Sequence, residues 1–216
     1  MLDTKKNTVF VILAGIFITS AVVAELIGSK LINVGPYVMS IGILPWPVVF
    51  VTTDLINEYY GKGVVRKLSY ITACLIAFCF IVLFVAIQIP ASAASTVTNE
   101  AFTAVFGQSM WIIVGSIIAF LVSQLIDATI FQRLKRKTGR RMLWLRSTGS
   151  TIISQLFDSF IVLGIAFWLT GIISTEVYIA SAFTGYFVKL LVAIGLTPVI
   201  YIAHSLLDKS FPQKDE

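Results

Sequence analysis

The chain predicts an all-α fold, a polytopic membrane protein of six transmembrane helices with both termini in the cytoplasm, forming one domain over residues 1–216. Three observations predict it. Hydrophobic residues make up 57% of the chain and charged residues 12%, with a mean hydropathy of +0.93, far from the charged quarter of an ordinary soluble domain. Six apolar stretches approach or exceed the roughly 20 residues needed to cross a hydrocarbon core of about 30 Å. The basic residues fall almost entirely into alternate loops.

The spans lie near residues 8–28, 37–57, 68–90, 109–131, 150–171 and 181–205. The first follows Lys5 and Lys6, as a signal peptide would. Its apolar run from Val9 to Ala24 exceeds the ~7–15 residues of such a peptide, and no small-x-small cleavage site follows, so it reads as a retained helix. Pro45 and Pro47 interrupt the second span, where neighbouring helices must re-satisfy the freed backbone. The third carries Cys74 and Cys79, five residues apart and so on different faces, which reads as two buried apolar thiols rather than a metal pair. The basic loop Gln132–Gly149 separates the fourth and fifth spans. The sixth contains Lys189 and, near its cytoplasmic end, the single histidine, His204. One histidine excludes a multi-histidine metal centre; an interfacial or hydrogen-bonded role is the plain reading of it and proton relay the sharper one.

Orientation follows from the positive-inside bias. Lys5, Lys6, Lys62, Arg66, Lys67, seven residues of the basic loop (Arg133, Lys135, Arg136, Lys137, Arg140, Arg141, Arg146), Lys209 and Lys214 share one side, against Lys30 on the other. The net charge of +5 reflects this topology, so the balance argues for lipid headgroups as partners and against nucleic acid. Arg146 stands apart because it directly precedes the fifth span, within reach of a substrate or Asp158.

Inside the spans one small pattern recurs: polar, Leu, apolar, polar. Its copies are Asp54-Leu55-Ile56-Asn57, Gln124-Leu125-Ile126-Asp127 and Gln155-Leu156-Phe157-Asp158. Positions i and i+3 share a helix face, so each copy aims two polar groups to one side. An Asp near the bilayer centre costs roughly 3 kcal/mol even on lenient insertion scales, and such groups face a partner, a cavity or a substrate. Asp54, Asn57, Glu58, Gln124, Asp127, Gln155 and Asp158 form a layer toward the cytoplasmic ends of helices two, four and five; Glu25, Lys30 and Lys189 lie toward the other side, Glu25 and Lys189 as a candidate ion pair. The bland alternative is a set of interhelical hydrogen bonds, each contributing about 0.6 kcal/mol. Spans two and four also match at an offset of 70, aligning Phe50 with Phe120, Leu55-Ile56 with Leu125-Ile126 and Arg66-Lys67 with Arg136-Lys137. This suggests an internal repeat of the kind common in transporters.

Several chemistries lack their signatures. No GxxxxGK[ST] phosphate loop occurs. The Gly-x-Gly-Asp and Gly-x-Ser-Gly elements of intramembrane proteases are missing, which leaves that enzyme class a poor second. No cofactor or metal is expected.

The run Thr53-Asp54-Leu55-Ile56-Asn57-Glu58-Tyr59-Tyr60-Gly61-Lys62, with Trp144-Leu145-Arg146 leading into Ser150-Thr151-x-x-Ser154-Gln155-x-x-Asp158, resembles the signature stretches of the queuosine-precursor transporter family, also described as a vitamin uptake transporter family. The likeness covers nearly the whole chain, including Lys30. It implies uptake of cyano- or aminomethyl-deazaguanine across the bacterial inner membrane. The expected substrate-binding residues are Asp54, Asn57, Glu58, Gln124, Asp127, Gln155, Asp158 and Lys30. A deazaguanine offers a ring N–H beside an exocyclic amine, two parallel donors that one carboxylate, Asp158 or Glu58, can accept together. Gln155, Gln124 or Asn57 would complete the edge, and Phe157, Phe131, Tyr59 and Tyr60 are the candidate ring plates. Three mechanisms stay open: proton coupling through Asp127 or Asp54, facilitated passage, and a binding subunit docked on a separate energising module. Another heterocyclic vitamin or nucleobase is the alternative substrate class. Homo-oligomerisation is also left open.

Overall fold

The computed structural model describes residues 5–34, 37–139 and 142–210. Helices dominate it: α1 (Lys5–Ile27), α2 (Trp46–Tyr60), α3 (Lys62–Gln88), α4 (Asn99–Phe106), α5 (Met110–Thr138), α6 (Leu143–Leu163), α7 (Thr175–Gly195) and α8 (Thr197–Ser210). Two short strands, β1 (Leu31–Val34) and β2 (Tyr37–Ser40), pair antiparallel with Leu31 opposite Ser40. Among the described residues, five helical segments are long and apolar enough to cross a membrane: α1, α3, residues 99–138, residues 143–168 and α7.

The second expected span is corrected. Residues 37–57 are not one helix: β2 and a 3-10 turn at Ile41–Ile43 precede α2, whose 15 residues reach only about 22 Å. Pro45 and Pro47 have no N–H to continue a helix backward, so α2 begins between them, with Pro47 in its first turn. The sixth expected span, 181–205, is two helices. α7 starts at Thr175, and Pro198 stands just inside α8.

The first turn of α1 and the last turns of α8 both reach the C-terminal end of α2, at one end of the bundle. There Tyr60 donates to the Lys6 carbonyl at 2.7 Å, and Tyr59 to Asp208 at 2.7 Å. We call this the basic end. At the other end the hairpin is pinned on α1, with Ser40 donating to the Gly28 carbonyl at 2.8 Å. A Cβ on Gly42 would stand 2.8 Å from the Ala24 carbonyl oxygen, so only glycine allows this approach.

α2 is the centre of the bundle. Every residue from Thr52 to Tyr59 is buried, against α1, α3, α5 and α8. It runs parallel to α5: Thr53 donates to Gln124 at 3.3 Å, and Asn57 to the Ala128 carbonyl at 3.1 Å, both pairs 71 residues apart. The two segments matched at an offset of 70 thus lie side by side in nearly the same register. α6 packs along α5 and runs antiparallel to α7 and α8, with Tyr178 against Phe160, Thr197 against Thr148 and Tyr201 against Trp144.

α3 buries one stripe, Val65, Leu68, Ser69, Thr72, Ala73, Ile76 and Phe80, at helical spacing. Its opposite face presents Ile71, Phe78, Ile81 and Phe84 outward. Cys74 is exposed on that face and Cys79 half-buried, correcting the expectation of two buried thiols; neither falls on the inward stripe.

Candidate functional site

Polar side chains from α2, α5 and α6 converge in the interior. α6 supplies the spine: Arg146, Ser150, Thr151, Ser154, Gln155 and Ser159 are all buried, a periodic polar face where an outward helix would be apolar. From Arg146 to Asp158 is about 18 Å along the axis, and the contacts fall into three tiers.

The tier at the basic end centres on Glu58. Its Oε1 lies 3.0 Å from Arg146, 3.3 Å from Lys135 and 3.9 Å from His204. Arg146 is only 1% exposed; it also donates to the Gly139 carbonyl at 2.6 Å and stands 5.8 Å from the Phe131 ring centre. His204 Nδ1 lies 3.1 Å from Asp208, which accepts from Tyr59. Arg146 therefore meets Glu58, not Asp158 as the sequence suggested. Asn57 is held by its bond to Ala128 and by Gln132, which donates to Asn57 Oδ1 at 2.8 Å.

The middle tier holds two more carboxylates. Asp54 accepts from Ser147, while its Oδ1 is buried with no hydrogen-bond partner among the described residues. Asp127 accepts from Ser154 at 3.1 Å and Thr151 at 3.4 Å. Two adjoining cavities, each with about 10 Å³ of room, open here. That is the space of about one water. Phe50, Thr53, Ser123, Gln124, Asp127, Thr151, Ser154 and Gln155 line the first. Asp54, Ser147, Thr148 and Thr151 line the second, together with Phe50, Val51 and the α7–α8 junction at Ala193, Leu196 and Ile200.

The third tier pairs Asp158 with Lys189 on α7 at 2.5 Å. Ser123 donates to Asp158 at 3.5 Å. Lys189 thus forms its ion pair with Asp158, correcting the expected Glu25–Lys189 pair, although Glu25 lies near both and beside Ser116.

Of the expected residues, the structure gathers Asp54, Gln124, Asp127 and Gln155 around the cavities. It commits Asn57 and Glu58 to the basic-end tier and Asp158 to Lys189. Lys30 is exposed on the turn before β1, at the far end of the bundle. Among the expected ring plates, Phe157 is 46% exposed, outward from the site. Tyr59 and Tyr60 are tied to α8 and α1. Phe50, which lines both cavities, was not singled out as a ring plate; its match to Phe120 in the repeat was the only signal. The hydroxyl row Ser147, Thr148, Thr151 and Ser154 was only partly legible, since Ser and Thr are unremarkable in membrane helices.

A bundle of apolar crossings around a polar interior with small cavities suits a membrane transporter. Residues 40–203 match the family model described as "Putative vitamin uptake transporter". The "Probable queuosine precursor transporter" of Bacillus subtilis (strain 168) is 30% identical over 190 residues, covering 87% of this chain and 81% of that protein. The "Queuosine precursor transporter" of Escherichia coli (strain K12) is 27% identical over 188 residues, covering 81% and 77%. The chain belongs to this vitamin uptake transporter family. No solved structure matches it.

Proposed function

We propose that the protein imports a deazaguanine precursor of queuosine, cyano- or aminomethyl-deazaguanine, across the bacterial inner membrane, with both termini and the basic end in the cytoplasm. The relatives' names supply the substrate class. The observation that carries the reading is the convergence of Gln124, Asp127 and Gln155 on one cavity. A carboxylate has about four acceptor sites, so Asp127 can hold its hydroxyl donors and still accept the ring N–H and exocyclic amine of a guanine-like edge. The two amides both donate and accept, which suits the carbonyl and remaining ring positions. Phe50 is the aromatic wall of the same space.

Asp127 takes the part first considered for Asp158 or Glu58, because those two are already paired with cations. The cavity as it stands holds no heterocycle. Binding therefore requires α6 to part from α2 and α5, a gating motion of the kind transporters use. Adenine presents a different edge and would leave buried polar groups unpaired, at about 1–3 kcal/mol each.

Uptake of labelled cyano- and aminomethyl-deazaguanine into proteoliposomes tests this. Uptake that unlabelled deazaguanine blocks and adenine does not is the expected result. Absence of uptake, or equal competition by adenine, would exclude it.

A further inference from the structure

The second cavity differs from the first in kind. It holds no amide. Its polar lining is oxygen alone: the carboxylate of Asp54 and the hydroxyls of Ser147, Thr148 and Thr151. Asp54 is 3% exposed, and its Oδ1 has no hydrogen-bond partner among the described residues. A buried carboxylate oxygen left unsatisfied is expensive, and it calls for a ligand.

The remaining wall is the break between α7 and α8, at Ala193, Leu196 and Ile200. The C-terminal end of a helix carries partial negative charge on its last carbonyls. Pro198 has no N–H to continue the helix ladder to Ile194, whose carbonyl is met instead by the N–H of Leu196. The charged groups facing Asp54 are Asp127, Glu58 and Arg146. Two of the three are acidic, and the cation among them is already held by Glu58 and the Gly139 carbonyl. The space thus combines a free carboxylate oxygen, three hydroxyls, a helix C-terminus and room for one water-sized occupant.

We propose that this cavity binds a single Na⁺ ion, with Asp54, Ser147, Thr148 and Thr151 as its ligands and the α7–α8 junction as its wall. Hard oxygen donors suit such an ion, and broken helices whose carboxyl ends face the membrane interior are where transporters hold coupling cations. A transition metal does not fit, since no three His, Cys, Asp or Glu among the described residues converge to hold one. Phe50 and Thr151 line both cavities. Filling the ion site therefore orders two walls of the neighbouring one, which links the ion to whatever binds there.

The test is thermal unfolding of the full chain purified in detergent, titrating NaCl against choline chloride at fixed ionic strength, at each of several pH values. Tm should rise with Na⁺ and saturate. Ser147→Ala should raise the half-saturating Na⁺ by about tenfold, the loss of one oxygen ligand, and Asp54→Asn should flatten the response. Identical curves in Na⁺ and choline would overturn the proposal. So would a Na⁺ response unchanged in Ser147→Ala, or a Tm that follows pH but not Na⁺, which would assign a proton to Asp54. The wild-type titration decides even where Asp54→Asn fails to fold. No organic substrate is present, so the result stands apart from the substrate reading.

Discussion

α3 and α6 both turn apolar side chains outward and differ in what they bury. α3 hides a mainly apolar stripe, with Ser69 and Thr72 bonded back onto their own helix, and turns Ile71, Phe78, Ile81 and Phe84 outward, whereas α6 hides Arg146, Ser150, Thr151, Ser154 and Gln155. In water such a molecule would be inside out. In a bilayer it is the expected arrangement, because lipid accepts Phe and Ile on the exterior while buried polar groups must find one another. The contrast assigns function by face: the outward face of α3 only has to be apolar, and the inward face of α6 must match particular partners.

Four substitutions sharpen or break this contrast. The largest effect is expected at the basic end of α6. Glu58→Gln leaves the buried Arg146 without its carboxylate and should destabilise the protein by about 3–5 kcal/mol. Thermal unfolding in detergent reads it, and adding Arg146→Met should restore part of the loss. Next is Asp127→Asn, which replaces an acceptor by a donor in the first cavity. It should weaken deazaguanine binding by 10- to 100-fold, about 1–3 kcal/mol, with a smaller change in Tm, measured by calorimetric titration. Lys189→Met removes the partner of Asp158 in a partly exposed pair and should destabilise by about 1 kcal/mol. Smallest is Phe78→Leu on α3, expected within about 0.5 kcal/mol of wild type with uptake unchanged. A Phe78→Leu loss as large as that of Glu58→Gln would end the face-by-face account.

Much of this was readable from residues alone, for stateable reasons. A polar pair i, i+3 inside an apolar run has few tolerable places, so the burial of Gln124, Asp127, Asp54 and Gln155 in the bundle interior was legible before any helix was placed. Which carboxylate stays available was not readable. That depends on Lys189, 31 residues from Asp158, and on Arg146, 88 residues from Glu58, arriving from other helices. Hydropathy also misjudged residues 37–57, since a short apolar run does not distinguish a hairpin from a helix. Pro45 and Pro47 were the available warning, and the structure starts α2 at that point. Of the basic loop, Arg140 and Arg141 lie outside the described residues. α5 runs on to Thr138 and α6 starts at Leu143, so Lys135 and Arg146, expected in that loop, stand on helices and turn inward onto Glu58.

The central claim is that one cavity, lined by Gln124, Asp127 and Gln155, reads a guanine-like edge. Calorimetric titration of the purified protein with cyano-deazaguanine, guanine and adenine, beside the same series on Gln155→Ala, tests it most directly. The account predicts binding of the guanine-edged compounds, none of adenine, and a loss of at least tenfold in the variant. Adenine binding as well as deazaguanine, or a Gln155→Ala protein with wild-type affinity, would contradict it.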